Sequence, residues 1–169
     1  SSKFLEETIQ SIINQDYSNW KLIIIDDCSD EKTKNILNNY KNHQKIKILY
    51  LQKNMGAGFC RNLGLRIANS RYTAFIDSDD KWSSNKISEQ VNFMELNKFD
   101  FSYTNYTTFT EKDILREIKP PKIMNFNSFV KNTSICTSSM MISTKYARGH
   151  KFTKTKICED YFYKCSLLK

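Results

Sequence analysis

Phe75-Ile-Asp-Ser-Asp-Asp-Lys-Trp82 is the stretch on which the reading of this chain turns. The apolar run from Tyr72 to Ile76 is rich in β-branched and aromatic residues, the composition of a buried strand. It opens directly into three carboxylates, Asp77, Asp79 and Asp80. Acids crowded at the end of a buried strand repel one another and lose hydration, unless a cation or a hydrogen-bond donor sits among them. The Asp-x-Asp spacing lets a strand-end turn present two carboxylates to one hard, oxygen-seeking metal. An acidic turn that caps the following helix is the competing reading.

Outward from this stretch the chain alternates. Phe4, Leu5, Thr8, Ile9, Ile12 and Ile13 mark a helical stripe. Lys21 to Asp27 reads as a strand ending in paired acids, and Glu31 to Tyr40 as a helix capped by Ser29 or Asp30. Ile46 to Leu51 is a second strand. Ala57 to Ala68 is a helix with Cys60, Leu63, Gly64 and Ile67 facing inward. Beyond the third strand, Ser83 or Ser84 caps a helix carrying Ile87, Val91 and Met94. Phe101 to Thr107 reads as a strand and Thr108 to Lys122, ending in Pro120-Pro121, as a loop. Met140 to Ile142 is a last short strand, and the chain is helical from Glu159. Strands and helices alternating in this way predict an α/β fold with a mostly parallel sheet flanked by helices. Ligands of such sheets bind beyond the carboxyl ends of the strands. Asp26-Asp27 and the Asp77–Asp80 cluster therefore share a ligand edge.

Composition narrows the classes. The chain has 169 residues, 40% of them hydrophobic, enough for one compact unit with a real core. Four Gly and two Pro exclude a low-complexity chain. The formal charge of +8 is spread along the sequence rather than gathered into a basic arm, which speaks against a nucleic-acid partner. Five cysteines without a C-x-x-C pair read as reduced thiols of a cytosolic protein. Neither a signal peptide nor a membrane-length apolar run is visible. The first residues already read as a helix and the last lie inside one, so both ends read as cut.

Between the acid clusters lies Asn54-Met-Gly-Ala-Gly-Phe-Cys-Arg-Asn62, a Gly-containing loop feeding a helix N-terminus. Backbone N–H groups there, with Arg61, suit an anion or a nucleotide edge; a plain helix-entry turn is the alternative. The loop is neither a dinucleotide fingerprint nor a P-loop.

The order of these motifs, Ile25-Asp-Asp-Cys-Ser-Asp30, Asn54 to Gly64, Phe75 to Asp80, then Glu159-Asp160, resembles the family 2 glycosyltransferases. The resemblance covers nearly the whole chain and implies the nucleotide-sugar-dependent GT-A fold, a Rossmann-like sheet flanked by helices. It implies one catalytic domain over 1–169 that lacks the family's first strand. Residues 1–100 form the nucleotide-sugar half and residues 101–169 the acceptor half. By position, Asp26 with Asp27 matches the acid that reads the uracil ring, and Arg61, with Gly58 in its loop, lies near base and phosphates. Asp77 matches the acid near the ribose and shares with Asp79 the hold on Mn²⁺ or Mg²⁺. Glu159-Asp160 matches the pair that opens a helix beneath the acceptor, with Asp160 as catalytic base. Acids in a helix's first turn also complement its dipole, so that pair has an ordinary structural reading too. Family members keep Gly where this chain has Cys28, a tolerated change.

The resemblance further implies a metal-dependent inverting transfer from a UDP-sugar to a hydroxyl of a saccharide or lipid-linked saccharide. The setting is bacterial surface polysaccharide or lipooligosaccharide synthesis, in the cytoplasm at the inner face of the membrane, with peripheral membrane contact. Two other classes stay open on the residues alone. One is a noncatalytic nucleotide-sugar-binding fragment. The other is a receiver-like phosphoacceptor domain, with Asp26-Asp27 as its acid pair and Asp77 as its acceptor.

Overall fold

A computed structural model describes residues 2–110, 113–155 and 157–169. Helix α1, Ser2–Ile13, buries Leu5, Ile9 and Ile12, the stripe expected from its periodicity. Strand β1, Leu22–Asp26, leads through Asp30, which caps helix α2, Glu31–Asn38, by accepting the Thr33 N–H at 2.9 Å. Strand β2, Ile46–Tyr50, returns parallel to β1, Leu22 facing Ile46 and Asp26 facing Tyr50. Leu5, Ile9, Leu37, Tyr40 and Ile46 close a core between α1, α2 and this pair.

Helix α3, Ala57–Ile67, follows β2, and strand β3, Tyr72–Ala74, follows α3. The buried face of α3 is Gly58 and Leu65, extended by Ala68, rather than Cys60, Leu63, Gly64 and Ile67, which are only half buried. The helix leans on β1 and also on two later helices, so its inward face is turned from the one a single sheet would select. Helix α4, Lys86–Asn97, starts at Asn85, one residue beyond the serines expected to cap it. Strand β4, Phe101–Ser102, is short.

The polar stretch expected to be a loop is instead an antiparallel hairpin, β5 (Tyr106–Phe109) with β6 (Ile114–Ile118). Its strands are largely exposed, so they lack the apolar alternation by which a half-buried strand is recognised. Two short helices also carry no periodic signal: α5, Phe126–Lys131, held by an Asn125/Ser128 capping box, and α6, Thr144–Arg148. Between them runs a 3₁₀ turn, Thr137–Ser139, that enters strand β7, Met141–Ser143. Helix α7, Glu159–Leu167, closes the description.

Among the described residues the parallel pairing is confined to β1–β2. Strand β7 sits between β3 and β4 and runs antiparallel to both. Among the described residues β1 and β3 each keep one edge unpaired. The largest core joins Leu65 and Phe75 to Phe129, Ile142, Phe152 and Tyr163, so it draws on both sides of residue 100. Phe152 and Tyr163 stack at 3.8 Å between centroids and Phe75 meets Phe152 edge-on, fixing the strand end at Phe75 against α7.

Candidate active site

The acid at the end of β1 does two different jobs. Asp26 is 4% exposed and, among the described residues, accepts one long bond, 3.4 Å, from the Ser29 N–H. A buried carboxylate with so little compensation is an acceptor in want of a donor. Asp27 is already engaged: its two oxygens accept the Met55 and Gly56 N–H groups at 2.6 and 2.7 Å. Asp27 therefore clamps the loop that leads into α3. Gly56 there has φ +87°, a backbone that favours glycine. Gly58 is a packing glycine, since a Cβ would fall 2.9 Å from the Thr153 carbonyl oxygen and 3.0 Å from Glu159 Cγ.

The clamp sets α3, and α3 carries Arg61. Its guanidinium donates to Asp77 Oδ1 at 2.6 Å and to Glu159 Oε1 at 2.8 Å, bridging the strand-end cluster to the start of α7. Burial works against the Arg61 charge, but Asp77 and Glu159 outweigh it and hold its pKa above the usual value. Phe152 lies under it, 5.4 Å from ring centroid to guanidinium carbon.

Residues Asp77 to Asp80 form a tight turn, the Asp80 N–H donating to the Asp77 carbonyl at 3.1 Å. Ser138 reaches into it: its hydroxyl donates to Asp80 Oδ2 at 2.5 Å and accepts the Asp77 N–H at 3.0 Å. Burial, and then repulsion from Asp77 and Asp79, push the Asp80 carboxyl up against the opposing Ser138 bond. Asp79 is exposed and makes no recorded hydrogen bond or ion pair among the described residues.

At α7, Asp160 Oδ2 accepts from Lys164 Nζ at 2.7 Å and from Thr137 Oγ1 at 3.1 Å. Burial opposes its charge, yet Lys164 and Thr137 prevail and keep Asp160 below the ordinary carboxylate range. The backbone N–H of Tyr161 also stabilises the charged carboxylate.

Asp77, Asp80, Glu159 and Asp160 are thus linked through Arg61 and the 137–138 turn, while Asp27 holds the loop that enters the Arg61 helix. Among the described residues, Asp26, Asp27, Asp77, Asp79, Asp80, Glu159 and Asp160 are set against two cations bonded to them, Arg61 and Lys164. Among the described residues no three of them are arranged to hold an ion unaided. The donor set fits a hard divalent cation of the kind completed by substrate phosphates and water: unpartnered Asp79, and carboxyls whose mutual repulsion a cation would relieve. Thr137, Ser138 and Lys164 were not visible as site residues in the sequence. Lys164 alone had a signal, lying four residues after Asp160 on the same helix face.

The Glycosyl transferase family 2 pattern matches residues 1–151. A putative teichuronic acid biosynthesis glycosyltransferase, TuaG of Bacillus subtilis, is 34% identical over 98% of this chain and 67% of its own length. The Escherichia coli UDP-Glc:alpha-D-GlcNAc-diphosphoundecaprenol beta-1,3-glucosyltransferase WfaP is 39% identical over 86% of this chain and 57% of its own. The chain thus spans about three fifths of these relatives. The crystal structure of Staphylococcus aureus TarS residues 1–349 with UDP superposes with a TM-score of 0.83 at 21% identity, covering 98% of this chain and 51% of that one. The mannosyltransferase PcManGT of Pyrobaculum calidifontis, with GDP-Man and Mn²⁺, superposes at 0.67 and 13% identity over 91% of this chain and 45% of its own. The receiver-like alternative falls with these matches, and Asp77 is held by Arg61 rather than standing free as a phosphoacceptor. The chain belongs to glycosyl transferase family 2, as a glycosyltransferase domain of the GT-A fold.

Proposed function

We propose that this domain transfers a sugar from a UDP-sugar to an acceptor hydroxyl, with inversion and with a divalent metal. The observation that carries the reading is the Arg61 bridge, which draws the Asp77–Asp80 turn and Glu159-Asp160 into one acidic site. Asp26 offers its under-used carboxylate to a ring N–H of the base. Asp79, with Asp77, would hold Mn²⁺ or Mg²⁺; when bound, the cation supplies positive charge to the departing diphosphate. Arg61 keeps Asp77 and Glu159 oriented, and Asp27 keeps the loop ahead of Arg61 in place. Asp160 receives the acceptor's proton. Its lowered pKa keeps it charged and ready, at some cost in basicity.

The acceptor reading, a saccharide or lipid-linked saccharide in bacterial surface polysaccharide or lipooligosaccharide assembly, draws support from the names of the relatives. No helix among the described residues is long and apolar enough to cross a membrane, and a cytoplasmic site of action with peripheral membrane contact belongs to this proposal. So do the division into a nucleotide half, 1–100, and an acceptor half, 101–169, and a further strand completing the sheet, which the unpaired edges of β1 and β3 would receive.

Calorimetric titration of UDP with Mn²⁺ and then with EDTA tests the site. Binding should require the metal and vanish in Asp79→Ala. Metal-independent binding, or an unchanged Asp79→Ala, removes Asp79 from the metal site. Absence of binding in a protein of the relatives' full length refutes the donor assignment.

A further inference from the structure

We infer that Thr137 and Ser138 are positioning residues that lock the base at Asp160 to the acidic turn at Asp77–Asp80. The inference rests on the glycosyltransferase reading of the site. Two consecutive hydroxyls on one 3₁₀ turn address two different acid groups. Thr137 Oγ1 donates to Asp160 Oδ2 at 3.1 Å; Ser138 Oγ donates to Asp80 Oδ2 at 2.5 Å and accepts the Asp77 N–H at 3.0 Å. Neighbours on a 3₁₀ turn point about 120° apart, which is how adjacent residues face separate partners.

The turn is buried and tied down. Thr137, Ser138 and Ser139 are 4%, 6% and 3% exposed. The Ser138 carbonyl accepts Trp82 Nε1–H at 2.8 Å, the Ser139 carbonyl accepts from Gln90 Nε2 at 3.2 Å, and Ser139 Oγ donates to the Cys136 carbonyl at 2.7 Å. One residue later the chain enters β7, the strand flanked by β3 and β4. A side chain there serving only to fill space would be apolar, because a buried hydroxyl is unfavourable unless bonded. Ser138 uses both faces of its hydroxyl, donor and acceptor, which no apolar or purely donating group reproduces. The turn thereby fixes the separation between the group that takes the acceptor's proton and the group that holds the donor. Reaction rate is steep in that separation: a displacement of about 1 Å can cost on the order of 100-fold.

The test compares Thr137→Val, Thr137→Ser and Ser138→Ala with wild type in the full chain. The readouts are UDP-glucose hydrolysis with Mn²⁺, calorimetric UDP binding, and the ¹³C NMR titration of the Asp160 carboxyl, which needs no turnover. Thr137→Val should lower kcat by about 10- to 100-fold with little change in KM, and should move the Asp160 midpoint upward. Thr137→Ser should restore both. Ser138→Ala should leave the Asp160 midpoint alone and weaken Mn²⁺-dependent UDP binding by about tenfold. A space-filling role would lower the melting temperature of all three without moving the midpoint or separating kcat from binding, and that result overturns the inference. Equal behaviour of Thr137→Val and Thr137→Ser does so too. Wild type that binds no UDP refutes the UDP-sugar assignment instead, and the Asp160 midpoint still decides the Thr137 contact.

Discussion

Arg61→Met removes both arms of the bridge between Asp77 and Glu159, and the two carboxylates left behind are not equivalent. The Glu159 side chain is 16% exposed and the Asp77 side chain 42%. Breaking a buried pair by deleting one partner costs about 3–5 kcal/mol, chiefly for the charge left uncompensated. Asp77, open to water, adds at most about 1 kcal/mol, so Glu159 dominates and the loss should be about 3–5 kcal/mol. For a chain of this size that is on the order of 10 °C in melting temperature. Arg61→Lys keeps the charge but has no fork, so it can serve one carboxylate and not both; about 1–2 kcal/mol is expected. Urea unfolding followed by the fluorescence of Trp20 and Trp82 measures each difference. A deficit below about 1 kcal/mol would refute the bridge as an electrostatic link.

Two further substitutions test the surroundings of the site. Lys86 is 6% exposed, its Nζ has no hydrogen-bond partner among the described residues and lies 3.8 Å from the Trp82 ring centroid, and burial pushes its pKa down to about 7. Between that value and the ordinary lysine range the unfolded chain binds more protons than the folded one, so stability should rise with pH there. Lys86→Met should stabilise by on the order of 3 kcal/mol at pH 7, after the lost cation–π contact is subtracted, with the gain fading toward pH 10; parallel wild-type and variant pH profiles would contradict this. Cys28, at φ +64°, occupies the left-handed region without being glycine. Cys28→Gly should therefore raise stability by about 1 kcal/mol in thermal unfolding, and a loss would show that the Cys28 side chain contributes packing that outweighs its backbone strain.

Clusters of like type were legible because each is local. Asp26-Asp27, Asp77 with Asp79 and Asp80, and Glu159-Asp160 each sit within a few residues of a strand end or helix start, where periodicity itself marks the position. What joins them is not local. Arg61 reaches Glu159 across 98 residues and Ser138 reaches Asp80 across 58. No propensity or spacing encodes such a bond, and an isolated Thr-Ser-Ser reads as an ordinary turn. The same contrast explains the hairpin β5–β6, whose exposed strands pair through backbone rather than through a buried face. Asp27 and Gly58 carry roles that position in the motif does not reveal, the loop clamp for one and close approach of Thr153 and Glu159 for the other.

Those long connections bear on how the domain is divided. A nucleotide half ending near residue 100 could bind its ligand independently only if its polar groups were satisfied within it. They are not: Asp80 depends on Ser138, Asp77 on both Ser138 and Arg61, and Arg61 on Glu159. The apolar record agrees, since Phe75, at the mouth of the acidic turn, packs on Phe152 and Tyr163. Residues 1–100 and 101–169 therefore share a core and a charge network. Left-handed non-glycine residues stand at Cys28 beside the first acid pair and at Cys158 ahead of the last, with a third, Lys98, ending α4. Strain of that kind persists only where surrounding contacts over-determine it. Here the Asp27 clamp surrounds Cys28 and the Arg61–Glu159 bridge Cys158, so the interactions that position the acids also hold the backbone that presents them.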